Sequence, residues 1–155
     1  MWSPWAGYMT QTFLLDYLVA QGGLSCASAL QSLTVDARLH VIPSIVRQVT
    51  SPYLVDLTVK VFMTWVSEMY ALEQEETMNE LLQSLTTGAL AVTRPRISFF
   101  LQPSKTWTPE EETSQIGKAR DILSATLASL RDEGRLRIAR CVVDPLTQEG
   151  IVEEL

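Results

Sequence analysis

One histidine, two cysteines and seven scattered glycines are all that this chain of 155 residues offers to the chemistries that most often build sites. Zinc sites take three or four ligands, usually in closely spaced pairs. His40 stands alone, and neither Cys26 nor Cys141 lies near it in sequence. A nucleophile pair of the Ser–His or Cys–His kind would have to use that same histidine. The stretch Leu24-Ser25-Cys26-Ala27 carries no nucleophile-elbow pattern. His40 borders an apolar stripe and reads as a partly buried structural residue. The glycines form neither a phosphate loop nor a dinucleotide fingerprint. Two thiols do not make a disulfide framework. Both cysteines read as reduced and buried, since a thiol packs like a small apolar group. That points to an intracellular protein of the cytoplasm or nucleus.

Basic residues are also scarce over much of the chain. Between Met1 and Thr93 they are Arg38, Arg47 and Lys60 alone, while Arg94 to Arg140 holds the remaining lysines and arginines. The net charge is −6, which argues against a surface devoted to phosphates, because non-specific nucleic-acid affinity comes from neutralising them with Lys and Arg. Long uncharged apolar runs are missing too. The most apolar stretch, Tyr53 to Leu72, is broken by Asp56, Lys60 and Glu68, so no membrane helix is expected. Phe13-Leu14-Leu15 has no basic residue before it and is followed by Asp16, which argues against a signal peptide.

What remains is a chain with 46% hydrophobic and 19% charged residues, enough for a true core and a single domain. Its punctuation reads as helical. Ser3-Pro4, Ser51-Pro52 and Thr108-Pro109 each place a capping hydroxyl before a proline. Helices are expected over 4–21, 25–33, 52–73, 75–85 and 109–133. Another apolar stripe runs from Val35 to Val49, kinked or broken at Pro43. The stretch 52–73 is apolar on nearly every side and reads as a buried central helix. Ala89 to Thr93 and Ile97 to Leu101 read as extended or irregular, the first weakly enough to be helical. A strand is expected from Arg135 to Val143, then a turn and a second short strand at Ile151-Val152. The expected architecture is mainly α, a compact multi-helix domain with a small C-terminal β-hairpin; HEAT- or armadillo-like helix pairs are a less favoured variant of it. Residues 1–87 would form the helical core, 88–107 an irregular or extended connection, and 108–155 the long helix and hairpin packed onto it.

The C-terminal order is distinctive: Ile122-Leu123, Leu127 and Leu130, then Gly134-Arg135-Leu136, then Asp144-Pro145 and Gly150-Ile151. It resembles the last helix and wing of a winged-helix module over the final third of the chain. That resemblance implies a wing bearing Arg135, Arg137 and Arg140, with Arg131 just ahead of it. At the other end, Trp2, Trp5 and Tyr8 crowd together. They read either as core packing of the first helix or as anchors for a partner, since exposed Trp and Tyr often dominate interfaces.

No catalytic constellation emerges. The acidic runs at Glu73, Glu75 and Glu76 and at Glu110 to Glu112 read as solvated faces or helix caps. The expectation is a non-catalytic protein–protein interaction module, an adaptor or a subunit of a larger assembly. Its partner would be another protein or a second copy, met through Trp2, Trp5, Tyr8, Arg131, Arg135, Arg137 and Arg140. No cofactor, metal, membrane or small-molecule substrate is expected. The alternative is a nucleic-acid-binding accessory protein using the basic stretch 94–140.

Overall fold

The computed structural model describes residues 28–64, 66–143 and 150–155, and they form an α/β fold around one five-stranded sheet. The described elements run β1 (Ser32–Asp36), α1 (Ile42–Val46), β2 (Asp56–Phe62), α2 (Val66–Glu73), α3 (Glu75–Thr86), α4 (Gly88–Thr93), β3 (Arg96–Gln102), α5 (Pro109–Thr126), α6 (Ala128–Asp132), β4 (Leu136–Val143) and β5 (Gly150–Glu154). The mainly α, multi-helix expectation is therefore wrong, and so is its HEAT- or armadillo-like variant. The expected helix over 4–21 lies outside the described residues.

The error has a local cause. Within 52–73, Leu57, Val59 and Val61 alternate with Asp56, Thr58, Lys60 and Phe62, and the first set is fully buried. That is a period of two, and β-branched residues favour it. The helix begins later, at Val66. One apolar stretch thus holds a strand and a helix in succession, and their combined apolar residues mimic a helix buried on all sides. The same thing happened at 25–33, where Ser32 and Leu33 open β1. The stripe from Val35 to Val49 is likewise split. Val35 lies in β1, and the helix α1 starts with Pro43 in its first turn, where proline is tolerated. The segment 88–107 supplies α4 and then β3, the middle strand of the sheet.

The later elements follow their sequence signals. Thr108 caps α5 with a capping box: its hydroxyl accepts from the Glu111 N–H at 3.2 Å, and Glu111 Oε2 accepts from the Thr108 N–H at 2.9 Å. Gly134 ends α6 at φ +71°, with its N–H donating to Arg131 O at 2.9 Å and the Arg135 N–H donating to Leu130 O at 2.9 Å. This is the Schellman closure, and it needs a left-handed residue that glycine supplies without strain.

Strand order is β1-β2-β3-β4-β5, with the first four parallel and β5 antiparallel to β4. The C-terminal pair is therefore no projecting wing: β4 is joined to β3 in register, Ile97 opposite Leu136 and Phe99 opposite Ile138. Right-handed crossovers between parallel strands laid down in sequential order put every connecting helix on the same face. The core agrees. Leu33, Val35, Leu57, Val59, Val61, Ile97, Phe99, Leu101 and Ile138 share one cluster with Ile45, Leu72, Leu81, Leu85, Ile116, Leu123 and Leu130 of the helices. Fully burying such side chains contributes roughly 1.5–3 kcal/mol each before entropy is counted. Thr34, Thr58, Lys60, Phe62, Ser98, Phe100, Arg137 and Ala139 alternate onto the opposite face and take no part in that cluster.

Candidate functional site

Because β1, β2 and β3 are parallel, the loops that follow Asp36, Phe62 and Gln102 gather at one edge of the sheet. Open α/β sheets usually bind ligands at that edge, in the crevice where strand order reverses. Here the order never reverses, so no such crevice is built. The loops are instead tied to one another. The Met63 N–H donates to Gln102 O at 2.9 Å, and the Leu39 N–H donates to Glu68 Oε2 at 3.1 Å.

Glu68 is the unusual residue of this edge. It sits in the first turn of α2 and is 0% exposed, and its second oxygen, Oε1, has no hydrogen-bond partner. Burial pushes its carboxyl above the usual carboxylate range. The Leu39 N–H and the Arg38 charge pull it back in part. Its geometry makes it a staple that fixes the start of α2 to the loop between β1 and α1. Ala71 and Leu72 press the helix onto the core, Met69 packs against it, and an ion pair from Glu73 to Lys118 ties its end to α5.

The outer side of this helix exposes Val66, Ser67, Tyr70 and Glu73, two of them large and apolar. Val66 is 85% exposed and Tyr70 65% exposed. They are four residues apart, so they lie together on one helical face. Val66 and Tyr70 thus face solvent from a helix that is itself held at three points.

The arginines expected to form a binding patch do not converge into one. Arg131 is exposed on α6 and bonded to the Ser124 hydroxyl at 3.0 Å, with Asp132 beside it. Arg135 is mostly buried, reaching Pro95 O at 3.2 Å and Glu133 at 2.8 Å. Glu133, held by Arg135 and Arg94, is stabilised as the anion and lies below its ordinary range. Arg137 lies on the open face of the sheet, where it pairs with Glu154 and sits 5.4 Å from the Phe100 ring centroid. Arg140 points to the helix-covered face and bridges Glu153 and Glu112, the latter at 3.3 Å. Glu153 in particular holds its guanidinium in the charged form. Each of the four is neutralised by a carboxylate of its own chain, and they face in different directions. Trp2, Trp5 and Tyr8 lie outside the described residues.

His40 is exposed, not partly buried as expected, and Cys141 is a free thiol of intermediate exposure. Cys26 lies outside the described residues. No group of three metal-ligating side chains forms among the described residues. An open groove of about 810 Å³ runs between the end of α1 and α3, lined by Arg47, Gln74, Glu75, Glu76, Asn79, Glu80 and Gln83. It is polar throughout, with Arg47 bound to Glu80 at 3.1 Å, and it lacks the apolar walls of a small-molecule pocket. Among the described residues, no helix is long and apolar enough to cross a membrane.

In comparisons with known proteins, no family model matches this sequence, and neither a curated protein nor a solved structure matches it. The site must therefore be read from its own geometry. Sequence reasoning missed Val66, Glu68 and Tyr70 because it buried them together in one long helix. The signal that separates them was the switch from alternation at Asp56–Phe62 to helical spacing afterwards.

Proposed function

We propose that this domain is a non-catalytic interaction module that binds another protein through the outer face of α2. The observation that carries the reading is the pair Val66 and Tyr70, both largely exposed on a helix whose other contacts are fixed. Tyrosine is a favoured interface anchor because it combines a large apolar area with a polar tip and few rotatable bonds. The shape expected of the partner is a shallow apolar groove that admits a tyrosine ring. The free thiol of Cys141 supports an intracellular setting as part of the same proposal. The four arginines of the C-terminal end favour a structural role, since carboxylates already neutralise them.

The test compares the full chain with Val66→Asp and Tyr70→Asp variants by co-purification and then by titration against whichever protein is retained. The reading expects a stoichiometric partner whose affinity falls at least tenfold in either variant, as removal of an interface anchor typically costs 2 kcal/mol or more. Retention of the same partner with unchanged affinity in both variants would refute it.

A further inference from the structure

The rim of the sheet where β2, β3 and β4 begin carries a second exposed surface. It lies at the opposite end of the strands from the loops that Glu68 ties together. Backbone bonds fix it. The Val55 N–H donates to Gln31 O, the Arg96 N–H to Val55 O and the Ile97 N–H to Arg135 O, each at 2.8 Å. On this fixed rim Tyr53 is 62% exposed and Val55 61% exposed. Val92, 82% exposed, stands near the end of α4, two residues ahead of Arg94. Large apolar side chains therefore stand in water around the starts of β2 and β3.

Arginines border them, and their charge is not balanced in place. Glu133 is one carboxylate shared by two guanidiniums, Arg94 at 3.2 Å and Arg135 at 2.8 Å. Arg96 is exposed and forms no ion pair among the described residues, although Asp56 stands beside it in register. With both carboxylates counted, the rim keeps an excess of positive charge on a chain whose net charge is −6. Arg94 also has an unusual backbone. At φ 50° and ψ 56° it is the one non-glycine residue with positive φ among the described residues. Gly88 and Gly134, the others with positive φ, take that conformation without strain, whereas a side chain makes it costly. Glycine is the usual residue at a helix end of this kind. The chain thus accepts strain at the end of α4 and places an exposed guanidinium there. Strain of this sort concentrates at functional positions.

Apolar side chains beside uncompensated guanidiniums fit a ligand with both characters. Carboxylates meet guanidiniums in charge-assisted hydrogen bonds, often two at a time. An aliphatic or aromatic side chain of the same ligand can cover Tyr53 and Val55. A nucleic acid fits less well. The cations are few, carboxylates stand among them, and the acidic chain as a whole repels a polyanion. We propose that Tyr53, Val55, Val92, Arg94 and Arg96 form a second docking surface, which takes an acidic segment of a partner protein with an apolar side chain among its aspartates and glutamates. This surface is independent of α2 and stands whether or not α2 binds a partner.

The test follows the backbone amide and arginine Nε–Hε signals of the isotope-labelled full chain by NMR. The probe is a synthetic peptide in which aspartates and glutamates flank a central Leu-Phe pair. The same peptide with Asn and Gln in place of the acids, and a short DNA duplex at equal ionic strength, are the comparisons. The expected result is saturable shifts at Val55, Arg94 and Arg96 with the acidic peptide, and none there with the amide peptide. Arg94→Gly combined with Arg96→Gln should weaken the acidic peptide roughly tenfold or more, the usual consequence of losing charge-assisted hydrogen bonds. Tyr70→Asp should leave its affinity unchanged, so failure at α2 and failure at the rim are distinguishable. Arg94→Gly alone should unfold at no lower a urea concentration than the parent, because glycine relieves the strain and an exposed ion pair contributes little. The proposal is overturned if the rim signals do not move, if the amide peptide moves them equally, or if DNA binds there more tightly. Unchanged affinity in the double variant overturns it too, as does a clear loss of stability in Arg94→Gly, which would make that arginine a structural residue.

Discussion

Replacing Glu68 with glutamine separates the two things this residue does. Its Oε2 accepts the Leu39 N–H at 3.1 Å across 29 residues of sequence, and the whole side chain is buried. Its Oε1 finds no partner, so the ionised form carries a desolvation penalty. Glutamine keeps an acceptor for Leu39 and removes the charge. Burial raises the carboxyl above its value in the unfolded chain. Between those two values the native state holds a proton that the unfolded state has released. The stability this gives is fully present below the unfolded value and is lost as pH rises through the raised native one. Each unit of elevation corresponds to about 1.4 kcal/mol. Glu68→Gln should therefore be at least as stable as the parent at neutral pH. Its advantage should shrink as pH falls and the parent's carboxyl takes up its proton. Glu68→Ala should behave differently, because it strands the Leu39 N–H in a dry site at a cost of roughly 1–3 kcal/mol. Urea unfolding of the three proteins from acidic to neutral pH gives these differences directly. Asp36 titrates with a shift of the same sign, but it is present in all three and cancels in the comparison. A glutamine variant whose stability parallels the parent at every pH would refute the assignment of a buried, proton-binding staple.

Other substitutions test the remaining parts. Val66→Ser and Tyr70→Ser, at exposed positions with little packing, should each change unfolding stability by no more than about 0.5 kcal/mol, so that any loss of binding is a surface effect. Phe99→Ala, in the central strand and fully buried, should destabilise by about 3–5 kcal/mol in denaturant titrations, the cost of a large cavity. Thr108→Ala should remove the capping box of α5 and lower stability by about 1 kcal/mol, with hydrogen exchange rising first around Glu111 and Glu112. Arg140→Met should leave Glu112 and Glu153 without their shared cation. The strand pair β4–β5 should then exchange amide protons faster, while affinity for nucleic acid at low salt stays unchanged.

The parts of the fold that sequence made legible are those whose signals are local. Thr108-Pro109 with three glutamates after it marks the start of α5, and Gly134 marks the end of α6, because caps satisfy backbone groups within one turn. The strand near Arg135 to Val143 and the return at Ile151 also follow from alternation and turn residues. What sequence hid was the join between β2 and α2. Leu57, Val59 and Val61 feed the sheet, and Leu72 feeds the helical layer, but both sets end in one core and read as a single apolar surface. Parallel strands add to the difficulty, because their partners are distant in sequence and their pairing leaves no hairpin signal. The candidate site was misread for a related reason. The arginines looked like a cationic patch along the chain, yet strand alternation sends Arg137 and Arg140 to opposite faces. Their acidic partners Glu112, Glu153 and Glu154 come from other elements. Exposure of Val66 and Tyr70 became visible once α2 had a defined inner side.

The claim that this domain acts by binding through α2 is most directly tested by placing p-benzoylphenylalanine at position 70 of the full chain and irradiating it in an extract of its native cells. The account predicts one discrete intermolecular adduct, lost when Val66→Asp is added. It is contradicted if position 70 gives no adduct, or gives adducts that Val66→Asp leaves unchanged.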